Sequence, residues 1–65
     1  MGFNKEGVFV NKEAAELVVK ACNIEDDDYI WTLLEQKING KPFYKPCRVK
    51  DYNYGMKAEG WVISE

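Results

Sequence analysis

Six cationic side chains, Lys37, Lys41, Lys45, Arg48, Lys50 and Lys57, are the residues of this chain whose type and spacing best suit chemistry. They recur every two to seven residues, with Phe43, Tyr44, Tyr52 and Tyr54 among them and only Asp51 opposing them, so residues 37–57 carry +5. Residues 1–36 carry three basic groups (Lys5, Lys12, Lys20) against eight acidic ones, giving −5, and the whole chain is −2. Segregation of this kind points to a polyanionic partner for the basic half. If four to six of these groups each neutralise a phosphate, log K for binding falls with log salt at a slope of roughly −4 to −5. Contacts of that type anchor a protein on duplex DNA without reading its sequence.

Other chemistries find little to work with. The chain has no histidine, which excludes a His-based triad, an HExxH zinc site and a Cys2His2 finger. Cys22 and Cys47 stand 25 residues apart in no metal-knuckle or CxxC arrangement, and they read as two buried or half-buried reduced thiols rather than a disulfide. The acidic block Glu25-Asp26-Asp27-Asp28 reads as helix-capping charge, with a contact for a protein partner as the alternative; it lacks the spaced ligands, glycine and distal Glu of a calcium loop. No carboxylate is paired with a base, a nucleophile or a phosphate-binding loop, so no catalytic, cofactor or metal residues are expected and the protein is not expected to be an enzyme. The start, Met1-Gly2-Phe3-Asn4-Lys5, has no apolar signal-peptide core, and no apolar run could span a bilayer. The expectation is a cytoplasmic protein with no membrane contact.

Sixty-five residues, 46% hydrophobic and 14% aromatic, suit one small domain spanning residues 1–65. Gly7–Asn11 reads as a short strand ending at a helix N-cap, Asn11. Lys12 to Cys22 is predicted as an amphipathic helix, with Ala14, Ala15, Val18, Val19 and Cys22 inward and Leu17 and Ala21 at the margins. Asn23–Asp28 breaks the pattern. A second helix is predicted from about Asp28 to Asn39, with the stripe Ile30, Leu33, Leu34, Ile38 and a left-handed C-cap at Asn39-Gly40. Beyond it, strands are predicted near Cys47–Tyr52 and Glu59–Ser64, separated by a turn at Asn53–Ala58. Phe43, Tyr52 or Tyr54, and Trp61 are expected in the core.

The predicted order, a short N-terminal strand, two helices and then an antiparallel β-hairpin, is that of an α+β domain of the small winged-helix type, with a generic two-layer α+β domain as the competitor. Phe9-Val10-Asn11-Lys12-Glu13-Ala14-Ala15-Glu16-Leu17 resembles the opening of excisionase-type and MerR-type winged-helix DNA-binding domains. Tyr29-Ile30-Trp31-Thr32-Leu33-Leu34 stands where that family places its recognition helix, Gly40-Lys41-Pro42 resembles the helix exit, and Gly60–Glu65 resembles the last wing strand. The chain departs from the family pattern in its longer, triple-aspartate turn and in carrying Thr32 and Glu35 where relatives favour arginine. The resemblance implies a monomer able to bind double-stranded DNA side by side with further copies, in company with a recombinase or another protein, for DNA recombination or transcription regulation.

In that reading the wing contacts phosphates through Lys37, Lys41, Lys45, Arg48, Lys50 and Lys57, while Tyr29, Thr32 and Gln36 face the major groove, where Gln can pair with adenine and Thr can touch a thymine methyl. Two alternatives stand beside it. The aromatics interleaved with lysines could stack the bases of a single strand. A sequence pI near 5.1 instead favours a small protein-interaction module or inhibitor that uses its acidic half without touching DNA.

Overall fold

Asn11 starts the first helix in the way its side chain allows. In the computed structural model, which describes residues 7–64, the Asn11 carboxamide oxygen accepts from the Ala14 N–H at 3.1 Å, and helix α1 runs Lys12–Glu25. Its inward line is Ala15, Val18 and Cys22, and it continues three residues past the predicted end at Cys22. The predicted strand at Gly7–Asn11 is reduced to one antiparallel bridge, in which Phe9 and Tyr44 each donate an N–H to the other's carbonyl at 2.7 Å. The leader reading at residues 1–5 and the last residue of the Gly60–Glu65 strand reading lie outside the described residues.

The predicted second helix is a strand. Residues Trp31–Ile38 form β1, which pairs antiparallel with β2, Lys41–Arg48, in a hairpin closed by Asn39 at φ 54° and Gly40 at φ 81°. Positive φ at both loop residues is what a two-residue type I′ turn demands, and Asn-Gly is its favoured pair. The left-handed reading of Asn39-Gly40 was therefore right in conformation and wrong in context. The helical stripe arose because Leu33 and Leu34 are adjacent and both buried, at 6% and 0% exposure. On a one-sided strand they would alternate; here both faces of β1 are covered, which erases the period-two signal.

A single turn of 3-10 helix, Val49–Asp51, follows β2, then α2, Tyr54–Ala58, capped by the Asn53 oxygen accepting from the Met56 N–H at 3.0 Å. The segment predicted as a turn at Asn53–Ala58 is thus this short helix, and the strand predicted at Cys47–Tyr52 is displaced to β2. The last strand, β3, is Val62–Ser64 and pairs antiparallel with β1, giving the sheet order β2-β1-β3. The molecule is a small α+β domain of helices and a three-stranded antiparallel sheet, in the order α1, hairpin, α2, β3 rather than strand, two helices, hairpin.

Each sheet face has its own cluster. On one, Leu33 and Tyr44 pack against Ala15 of α1, with Phe9 and Val19 alongside. On the other, Leu34 and Cys47 pack against Trp61, with Phe43, Tyr52 and Met56 completing the cover. Tyr52 and Trp61 are core residues as expected, and the Tyr52 hydroxyl donates to the Trp61 carbonyl at 2.7 Å; Tyr54 is 83% exposed. Cys22 and Cys47 belong to opposite faces, so no disulfide joins them.

β2 carries two prolines, Pro42 and Pro46, at positions the sheet can tolerate. Tyr44 turns its backbone hydrogen bonds outward to Phe9, and Pro42 and Pro46, two residues to either side, share that outward direction. Their missing N–H groups fall on the edge, where they also discourage a further strand from pairing.

Asn23, read in the sequence as a helix breaker, sits inside α1 and ties it to the sheet. Its carboxamide oxygen accepts from the Trp31 N–H at 2.7 Å and its Nδ2 donates to the Trp31 carbonyl at 3.2 Å. β3 pairs with β1 over Leu33 to Glu35, and two residues before that stretch Asn23 satisfies the Trp31 backbone from the helix.

Candidate nucleic-acid interface

The linear charge segregation becomes a layered one. α1 and the turn after it, residues 12–28, hold Lys12 and Lys20 against Glu13, Glu16, Glu25, Asp26, Asp27 and Asp28, and they cover one face of the sheet. The hairpin, the 3-10 turn and α2 hold the six cations, which divide between the two faces: Lys37 and Arg48 share the register of Leu33 and Tyr44 and so point to the α1 side. By register, Lys41 and Lys45 point to the same face as Phe43 and Cys47, the face that α2 and Trp61 cover, and Lys57 stands in the last turn of α2.

Lys45 lies with its ammonium 5.9 Å from the centre of the Trp61 ring. Lys37 and Lys41 flank the hairpin turn and are exposed. At the opposite end of the hairpin, Tyr29 supports two cations, with the Arg48 guanidinium 4.8 Å and the Lys50 ammonium 4.9 Å from its ring centre. Arg48 is further fixed by Asp51, whose carboxylate accepts from Nε at 2.7 Å. That hydrogen bond raises the guanidinium pKa above its ordinary value, so Arg48 is a permanent, oriented cation whose remaining N–H groups are available to an anion.

Lys45, Arg48 and Asp51 border a shallow cleft of about 390 Å³ whose lining also includes Trp31 and Met56. Cys47, also in that lining, has its thiol pushed up in pKa, first by burial and then by the Asp51 carboxylate. It is a packing residue and a poor nucleophile near neutral pH.

The helix expected to present Tyr29, Thr32 and Gln36 together is a strand, and the three lie in different settings. Tyr29 sits in the loop before β1 beneath two cations, and Thr32 is half-buried in β1. Gln36 is a clasp. Its Nε2 donates to the Glu59 carbonyl, and Gly60, at φ +107°, lies so close that a Cβ there would stand 3.0 Å from the same nitrogen. The structure therefore groups Tyr29, Arg48 and Lys50, groups Lys41 and Lys45 on one sheet face, leaves Lys37 at the hairpin tip, and assigns Thr32 and Gln36 to the scaffold.

The aromatic rings interleaved with the lysines go mostly to the core. Between residues 43 and 54, Tyr44 is buried and Phe43 and Tyr52 pack against the core, which leaves Tyr54, 83% exposed on α2, as the open ring of that segment. Sequence reasoning missed Asp51 as the orienting partner of Arg48; the three-residue spacing on a single turn was the available signal. The aspartate block caps no second helix. Asp26 instead accepts from the Asp28 N–H at 3.3 Å and, with its other oxygen, from the Trp31 indole N–H at 3.4 Å.

Among the described residues no group of three or more His, Cys, Asp or Glu is placed to hold a metal ion, and no helix is long and apolar enough to cross a membrane. Comparison with family models, curated proteins and solved structures finds no match to this chain.

Proposed function

We infer that the protein is a small non-enzymatic binding domain that docks on double-stranded DNA through its phosphate backbone, using the sheet and hairpin rather than an inserted helix. The observation that carries this reading is the layered charge: the fold gathers Lys41, Lys45 and Lys57 on the α2 side of the sheet, away from the acidic helix α1. Arg48 and Lys50, held over Tyr29, add an oriented cationic end to the same hairpin. Cations on a rigid sheet suit phosphates at fixed spacing, and an acidic opposite layer orients the approach. The protein-interaction reading draws its support from α1, whose outer side is both acidic and partly apolar.

The test is fluorescence anisotropy of a labelled duplex against protein at several salt concentrations. About four phosphate contacts correspond to a log–log slope of roughly −3.6. Lys41→Gln with Lys57→Gln, both at exposed positions, should lower affinity for every duplex sequence alike and reduce the slope by about 1.8. Failure to bind at low salt, or an unchanged slope in the double variant, would remove DNA from the reading.

A further inference from the structure

Helix α1 carries a second apolar line that its own fold does not use. Ala14, Leu17, Ala21 and Ile24 follow one another at three- and four-residue steps. At about 100° per residue this line lies roughly 110° around the helix from Ala15, Val18 and Cys22. Leu17 is 68% exposed and Ile24 70%. Beside it runs an almost purely apolar groove of about 340 Å³ formed by Phe9, Ala14, Leu17, Val18 and Ala21. A 3.5-residue apolar repeat on the solvent side of a helix is the signature of a helix-to-helix seam.

The charges beside the seam choose the occupant. Glu13 and Lys20 are seven residues apart and therefore occupy the same flank; among the described residues neither makes an ion pair within one copy. On an antiparallel pair of identical helices, that flank faces the same flank of the second copy, and Glu13 of each meets Lys20 of the other, twice over. On a parallel pair it would face the other flank, where Asn11, Val18 and Glu25 stand and no cation is present. The two-fold axis falls near Leu17, because pairing Glu13 with Lys20 of the other copy centres the contact between residues 16 and 17. Ala14 and Ala21 are small enough to let the two backbones close in around the Leu17 pair.

We propose that α1 pairs with α1 of a second copy of this chain, antiparallel about a two-fold axis at Leu17, burying the line Ala14, Leu17, Ala21 and Ile24. The contact uses the acidic layer and leaves the α2 side of the sheet open, so it stands independently of the DNA reading. Fourteen residues make a seam only about 21 Å long. The interface is below the usual size of about 1,600 Å², and the dimer is a weak one, populated at high protein concentration.

Sedimentation equilibrium of the full chain from about 10 µM to about 1 mM tests this, a range that spans weak association. The mass should rise from the 7.5 kDa of one chain toward twice that value. Leu17→Glu, at an exposed position, should stay folded by circular dichroism and remain monomeric throughout. Glu13→Lys and Lys20→Glu should each weaken association about tenfold or more, since each places like charges together at both contacts. An equimolar mixture of those two variants, and the double swap Glu13→Lys/Lys20→Glu, should both recover it. A chain that remains monomeric at the top concentration overturns the proposal, as does a dimer indifferent to Leu17→Glu or unrescued by mixing.

Discussion

Replacing Asn23 with alanine tests the contact that most directly couples α1 to the sheet. Two hydrogen bonds to the Trp31 backbone are lost, at 2.7 and 3.2 Å, and each neutral bond contributes about 0.5–1.5 kcal/mol net. Against that loss of about 1–3 kcal/mol stands the better helix propensity of alanine over asparagine, about 0.6 kcal/mol. The expected net cost is therefore about 0.5–2.5 kcal/mol. In a 65-residue domain about 7 °C of Tm accompanies each kcal/mol, so thermal unfolding should move down by about 4–18 °C. Amide hydrogen exchange supplies the specific readout. The Trp31 amide should lose protection beyond what the global destabilisation explains, whereas the amide of Leu34, at the centre of the sheet, should follow global stability alone. An Asn23→Ala variant with unchanged Tm and unchanged Trp31 exchange would refute the claim that this side chain ties α1 to the sheet.

Two further perturbations probe the turn and the core. Gly40→Ala forces a side chain into the left-handed region at φ 81° and should cost about 1–2 kcal/mol, measured by urea denaturation with an unchanged m-value. The Cys47 thiol, with its pKa raised in the folded state, binds its proton more tightly there than in the unfolded chain, so its contribution is fully present below the ordinary thiol pKa near 9.0 and is lost as pH rises through the folded value. Stability should therefore fall with pH in that alkaline window more steeply for the wild-type chain than for Cys47→Ala, and equal slopes from denaturation series at several pH values would contradict the assignment.

How far the residues speak for themselves varies along the chain. α1 was legible because its inward line, Ala15, Val18 and Cys22, repeats at helical spacing behind an asparagine cap, and both signals are local. The left-handed pair Asn39-Gly40 was legible for the same reason, since backbone sterics at those two residues decide it. β1 was not. Adjacent apolar residues at 33 and 34 fit a helix stripe or a strand covered on both faces, and only the packing of α1 on one face and of Trp61 on the other selects the strand.

The basic segment shows the same division. Its charge and its contrast with the first half are properties of the sequence and fix the class of partner worth testing. Which cations stand together is a property of register: Lys41 and Lys45 share a face because β2 pairs with β1 as it does, and Arg48 meets Lys50 over Tyr29 because a 3-10 turn folds them onto the loop before β1. Gln36, exposed in a helix reading, becomes a clasp on the Glu59 carbonyl once its strand is central. Composition and short-range spacing determined charge, caps and the turn. Long-range pairing, whose energy depends on surfaces far apart in the chain, decided the sheet, the layering of charge and the apolar line that α1 leaves uncovered.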